Sequence, residues 1–280
     1  MLSNKIHPCL WFDNQAGEAA DFYCSIFESA EVTAQTSLVT IFKLDGHKFM
    51  AINGGPMFQK NPSISFFVVR QSREEVSRLW AKLTEGGSIL MALDQYEWSE
   101  LYGWVQDRYG VNWQVSMGDI GDTSYNYSPC LMFVQDQCGK AREAIELYTT
   151  LFENSSILNI QEYTASDHDR TGLVKHGSFM LQGKTFIAMD SSANHPFQFN
   201  EAISLVVECE NQQEIDYYWE ALKIETNEGQ CGWIKDRFGV SWQIIPKPFC
   251  QWALDPEKGP RVMEKVMTMK KLDFHALENA

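Results

Sequence analysis

Apolar positions along this chain alternate between two periods, and the alternation repeats. Residues 5–12, KIHPCLWF, read as a first strand, with Pro8 near its start where a lost N–H is tolerated. Ala16, Ala19, Ala20, Tyr23, Ile26 and Phe27 then recur at helical spacing, with Asn14 as the expected cap. Glu31 to Gln35 reads as a short strand. Ser37 to Leu44 and His47 to Asn53 read as two more, joined by the hairpin signal Asp45-Gly46. Gly54-Gly55-Pro56 closes the unit. A second unit opens with the apolar run after Ser63. Ser72-Arg73-Glu74-Glu75 is a capping box, and Val76, Leu79, Trp80 and Leu83 form the apolar face of the helix behind it. Glu85-Gly86-Gly87 ends that helix, residues 88–101 carry no clear period, and Trp98 to Leu101 reads as a loop. Each unit is therefore β-α-β-β-β.

The phrase that closes the second unit is said twice. GWVQDRYGVNWQV starts at Gly103 and GWIKDRFGVSWQI at Gly232, so equivalent residues stand 129 apart. Both predict a hairpin, with Asp107/Asp236 opening the turn and Gly110/Gly239 free to take positive φ. Asp107-Arg108 and Asp236-Arg237 read as turn and salt-bridge residues. After it, Val111, Trp113 and Val115 alternate with Asn112, Gln114 and Ser116, the pattern of a two-faced strand. One face reads equally as sheet core or as a pocket wall.

Other segments repeat at drifting offsets. PCL recurs 121 residues on, FKLDG/FMLQG 137 and SISFFV/AISLVV 139. Insertions are thus confined to loops, while the connection between Trp219 and Trp233 is shorter than its counterpart between Trp80 and Trp104. The expected division is 1–118 and 128–250 for the two copies, a linker over 119–127, and a helical tail over 251–280 carrying Val262, Val266, Met269 and Leu272.

A net charge of −14 argues against nucleic acid or an anionic membrane as partner. Seven scattered cysteines without a CxxC fit a reducing compartment, and the N-terminus has no signal-peptide shape, so a cytoplasmic protein is expected.

The PCLWF opening, FNEAISLVVECENQQEIDYYWEAL (199–222), QCGWIKDRFGVSWQIIP (230–246) and the tail from Pro256 resemble the PhnB-like branch of the vicinal oxygen chelate superfamily, the glyoxalase, bleomycin-resistance and extradiol dioxygenase group. The resemblance implies an α+β fold. Two tandem glyoxalase-like domains, each of two units, would form partly closed, mostly antiparallel curved sheets, with a C-terminal helix added. It also implies a small-molecule cavity and, in the metal enzymes, His, Gln and Glu ligands on first and last strands. Members of this branch carry the label of a 3-demethylubiquinone methyltransferase domain. No Gly-rich turn joins a strand to a helix here, so methyl transfer is not expected.

On first strands the chain offers His7, Ser65, Cys130 and Ser204; on last strands it offers Asn53, Gln114, Asp190 and Gln243. Gln114 and Gln243 stand where the resemblance implies a glutamate ligand. His7 and Gln114 are the candidate divalent-metal ligands, a set with no carboxylate, and Ser128 replaces His7 in the second copy. The candidate ligand-binding residues are Asn53, Phe66, Trp104, Gln114, His176, Asp190, Trp233 and Gln243. Cys231 reads as an inert thiol and not as a nucleophile. Two functions remain open: a protein that binds a small molecule in a sheet-lined cavity, or a metal-dependent lyase, isomerase or dioxygenase with one degenerate copy. A homodimer is compatible with both, although one chain already supplies all four units.

Overall fold

The computed structural model describes residues 5–119, 127–224 and 229–280; the expected linker lies, apart from its two ends, outside them. The first unit runs β1 (Ile6–Phe12), α1 (Ala16–Ile26), β2 (Ala30–Gln35), β3 (Val39–Leu44) and β4 (His47–Asn53). The second runs β5 (Ile64–Arg70), α2 (Arg73–Thr84), β6 (Ser88–Tyr96), β7 (Ser99–Gln106) and β8 (Asn112–Met117). The third is β9 (Tyr127–Phe133), a single 3-10 turn (Gln135–Gln137), α3 (Ala141–Leu151), β10 (Ser156–Glu162), β11 (Val174–Leu181) and β12 (Lys184–Asp190). The fourth is β13 (Ile203–Cys209), α4 (Gln212–Leu222), β14 (Trp233–Lys235) and β15 (Ser241–Pro246), followed by tail helices α5 (Phe249–Leu254), α6 (Gly259–Val266) and α7 (Phe274–Glu278).

These units make two mixed, mostly antiparallel sheets that do not close on themselves. The first sheet has order β14-β15-β13-β1-β4-β3-β2, and the second β10-β11-β12-β9-β5-β8-β7-β6. Each sheet therefore takes one unit from each half of the chain. The seams are antiparallel: His7 on β1 sits opposite Val206 on β13, and Ser65 on β5 opposite Cys130 on β9. Helices α1 and α4 pack on the first sheet, α2 and α3 on the second. One apolar core runs across both; Phe49 of β4 and Phe66 of β5 touch at 5.3 Å between ring centroids.

Local chemistry explains most elements. The Ser72–Glu75 capping box is present on α2. The turn after β7 has Gly110 at φ +80 and its copy has Gly239 at φ +87, as the repeated phrase predicts. Asn14 does not cap α1. The Asn53 side chain, arriving from the end of β4, accepts from the Ala16 N–H at 2.8 Å instead. Of residues 98–101 only Trp98 lies in a turn; β7 starts at Ser99 and pairs with β6 through an irregular register. In the tail, the helix stops at Val266, and Met269 and Leu272 lie beyond it.

The turn aspartates are not salt-bridge residues. Asp107 is buried and accepts four hydrogen bonds: from the Tyr23 hydroxyl (2.8 Å), Trp113 Nε1 (2.8 Å), and the backbone of Tyr109 and Val111. Asp236 repeats the pattern with Tyr148 (2.6 Å), Trp242 Nε1 (2.8 Å), Phe238 and Val240. Burial pushes both carboxyls above their ordinary range, and the donors pull the other way. The arginines behave separately: Arg108 lies over the Phe22 ring, and Arg237 pairs with Glu143.

Asp107→Asn replaces one acceptor oxygen by a donor facing two N–H or O–H groups, so urea melts should register a loss of about 3 kcal/mol; Asp236→Asn should cost a similar amount. Burial holds His47 down to about 4 from 6.5. The unfolded chain then binds the extra proton between those values, so this group makes stability rise with pH there, by up to about 1.4 kcal/mol per unit. Above pH 6.5 its contribution is fully present. His47→Gln should flatten that part of the stability–pH curve.

Candidate functional site

All eight strands of the second sheet contribute to one cavity of about 800 Å³, so this sheet curves into a cup. Register decides which residues face it. Trp104 on β7 pairs across to Gln114 on β8, Phe67 on β5 lies beside Gln114, and Ser178 on β11 sits opposite Asn159 on β10. One wall is aromatic: Phe67, Trp98, Tyr102 and Trp104. The other, on β10 and β11, is polar: Asn159, Gln161, His176 and Ser178.

At the centre, Gln114 is fixed at both ends. Its Oε1 accepts from the Tyr102 hydroxyl at 2.7 Å, and its Nε2 donates to Ser65 Oγ at 2.8 Å. Cys130 completes the group, and burial pushes its thiol up to about 12, so it is protonated at neutral pH. Burial lowers His176 below its ordinary value, which keeps that imidazole neutral as well. The formal charges at the cup are already engaged. Lys175 is paired with Asp167, and Asp190 accepts from the backbone N–H groups of Gly139, Ala141 and Val174. Glu97 lies at the exposed rim.

The first sheet carries the same centre. Gln243 Nε2 donates to Ser204 Oγ at 2.9 Å, and Cys9, also pushed up to about 12 by burial, stands where Cys130 does. This second cup is not open. Val262, Val266, Leu272 and Leu277 from the tail pack onto Cys9, Met50, Val206 and Ile245 and form a separate apolar cluster. The lining has changed to match. At the repeat offsets, Val39 stands for His176, Ile41 for Ser178, Ile245 for Ser116 and Cys231 for Tyr102. Among the described residues the first sheet has no counterpart of β6. The tail backbone runs there instead, with Met269 and Lys270 carbonyls accepting from Cys231 and Gly232 at 2.8 Å. Gly232, at φ +82, lets Leu272 approach; a Cβ there would lie 3.1 Å from that side chain.

The expected site residues divide accordingly. Trp104, Gln114 and His176 meet in the open cup, with Asp190 at its edge as the cap of α3. Trp233 and Gln243 are cross-strand partners in the covered cup. Asn53 caps α1, the role Asp190 has for α3. Phe66 is core on the helix side of β5, and its neighbour Phe67 faces the cavity. His7 lies in the first sheet, fully buried with neither ring nitrogen hydrogen-bonded and with Nε2 3.7 Å from Glu208 Oε1, whereas Gln114 lies in the second. The structure does not bring the two expected metal ligands together. Sequence reasoning missed Phe67, Tyr102, Ser178 and the β10 residues; in β5, apolar on both faces, no period-2 signal separates Phe67 from Phe66.

The donor set does not fit the divalent metal that the superfamily resemblance implies. No group of three His, Cys, Asp or Glu side chains that could hold one occurs among the described residues. The centre of the open cup presents an amide, a hydroxyl and a protonated thiol, a poor set for a hard cation.

Comparison with known proteins agrees with this architecture. The family model described as 3-demethylubiquinone-9 3-methyltransferase matches residues 4–116 and 125–245. A PhnB protein from Bacillus cereus is 32% identical over 41% of this chain and 100% of its own length, with a TM-score of 0.40. Glyoxalase I from Zea mays is 10% identical and covers 86% of this chain and 91% of its own, with a TM-score of 0.52. A mutant of the maize enzyme, also 10% identical, gives 0.55 with 89% and 94% covered. These maize likenesses establish the fold alone. No curated protein sequence matches the chain.

Leu272 is fully buried in the covered cup. Leu272→Ala should therefore destabilise the protein by about 2–5 kcal/mol in a denaturant melt, the range of a core truncation.

Proposed function

The chain belongs to the family described as 3-demethylubiquinone-9 3-methyltransferase, the PhnB-like branch of the vicinal oxygen chelate superfamily, and from that premise we propose that it binds one small molecule per chain in the open cup. The contrast between the two cups carries this reading. Both keep the Gln–Ser–Cys centre, but only one keeps a polar wall and a cavity of about 800 Å³, a volume usual for small-molecule sites.

The chemistry of the lining favours binding over metal-assisted lyase, isomerase or dioxygenase catalysis. The cup offers no carboxylate that is free of other partners, apart from Glu97 at the rim. His176 is its one neutral base. Both walls come from one chain, so a homodimer is not needed to complete the site. All seven cysteines are free thiols, which supports a cytoplasmic setting. Among the described residues no helix is long and apolar enough to cross a membrane.

The test is a thermal-shift screen with neutral, anionic, cationic and aliphatic fragments, followed by calorimetry. At least one class should raise the melting temperature and bind with one site per chain. Gln161→Trp, an exposed edge-strand position that overhangs the cavity, should abolish the binding. No stabilising fragment of any class, or binding that survives Gln161→Trp, would overturn the proposal.

A further inference from the structure

The open cup is two-sided in its chemistry, and the sides are complementary to different parts of one kind of molecule. We infer that its ligand is an uncharged, planar ring compound that carries both a hydrogen-bond donor and an acceptor along one edge, such as a lactam-bearing aromatic heterocycle. This rests on the reading of the cup as a small-molecule site and specifies what that site takes.

Three observations lead there. First, the aromatic wall suits a flat ring. Phe67 and Tyr102 are stacked, with centroids 6.3 Å apart, and Trp98 stands edge-on to Tyr102 at 5.8 Å, so the wall presents faces and edges of rings. Second, the opposite wall is built from groups that read a polar edge without charge. Asn159 and Ser178 are cross-strand neighbours, as are Gln161 and His176. Among the described residues, the side chains of Asn159, Gln161 and Ser178 have no hydrogen-bond partner. Amides and a hydroxyl supply donors and acceptors together, which matches a ligand edge that does the same. Third, the formal charges near the cavity are engaged elsewhere. Lys175 is held by Asp167, and Asp190 is engaged by three backbone N–H groups. An anionic ligand would have to break the first pair, and a cation would find a carboxylate only at exposed Glu97.

The covered cup supplies an internal comparison. There the positions of His176 and Ser178 are Val39 and Ile41, and the occupant is the apolar tail. Where the wall is apolar the contents are apolar. The polar wall of the open cup therefore calls for a ligand with a polar edge, and its aromatic wall for an apolar face.

Calorimetry at pH 7 with three bicyclic probes tests the inference: quinolin-2(1H)-one, neutral with a donor–acceptor edge; quinoline, neutral with an acceptor only; and 2-naphthoate, an anion. The lactam should bind about tenfold more tightly than either of the others. Ser178→Ala and Gln161→Leu should each weaken the lactam about fivefold and leave quinoline within about twofold. Gln161 is exposed on an edge strand, so that variant tests the wall even if Ser178→Ala proves unstable. Naphthoate binding as tightly as the lactam would overturn the inference while leaving the cup as a binding site. So would lactam affinity that ignores both variants. If none of the three probes binds but aliphatic fragments do, the ring class is wrong. If fragments of every class fail, the small-molecule reading falls with it.

Discussion

Two buried carboxylates tie the two sheets of this protein to each other. Asp107 sits in the hairpin of the second sheet, yet its Tyr23 donor comes from α1, which packs on the first. Asp236 does the reverse, lying in the first sheet and accepting from Tyr148 of α3 on the second. A charge of this kind is costly to bury alone and stable only when its lone pairs are fully engaged. Here the indole, the phenol and two turn amides engage it in each copy. The same carboxylate thus closes its own hairpin and ties a helix across to it, which makes local turn formation and sheet-to-sheet docking depend on each other.

Duplication gave the chain two cups, and they have diverged without losing their centres. The amide–hydroxyl hydrogen bond and its neighbouring thiol persist in both. Around the centre, polar residues in one cup are aliphatic in the other, and the aliphatic cup is filled by the tail. Substitution of the wall and arrival of the tail are two sides of one change. An apolar cup without contents would lose contacts on its whole lining, and the tail helices without the cup would expose theirs.

Much of this was legible in the chain. The capping box, the turn glycines and the period-2 strands were readable because each is a local signal in which residue type and backbone geometry coincide. The assignment of units to sheets was not. Pairing Ser65 with Cys130 depends on contacts between distant residues, and a repeat says nothing about which copy it pairs with. The segment 88–101 was obscure because β6 is an exposed edge strand with an irregular register, where burial does not enforce alternation. β5 is apolar on both faces, so its sequence pattern does not separate the core residue Phe66 from the cavity residue Phe67. Asn53 read as a pocket residue for want of any sign that α1 would borrow its cap from another strand.

The run of backbone from Met267 to Lys270 lies along the start of β14, where the other sheet has β6. An uncovered sheet margin presents unpaired N–H and C=O groups to any passing chain, and proteins commonly guard such margins against self-association. The tail serves as that guard. A form of this protein lacking it would present a bare strand margin beside an emptied apolar hollow, a combination that favours edge-to-edge polymerisation.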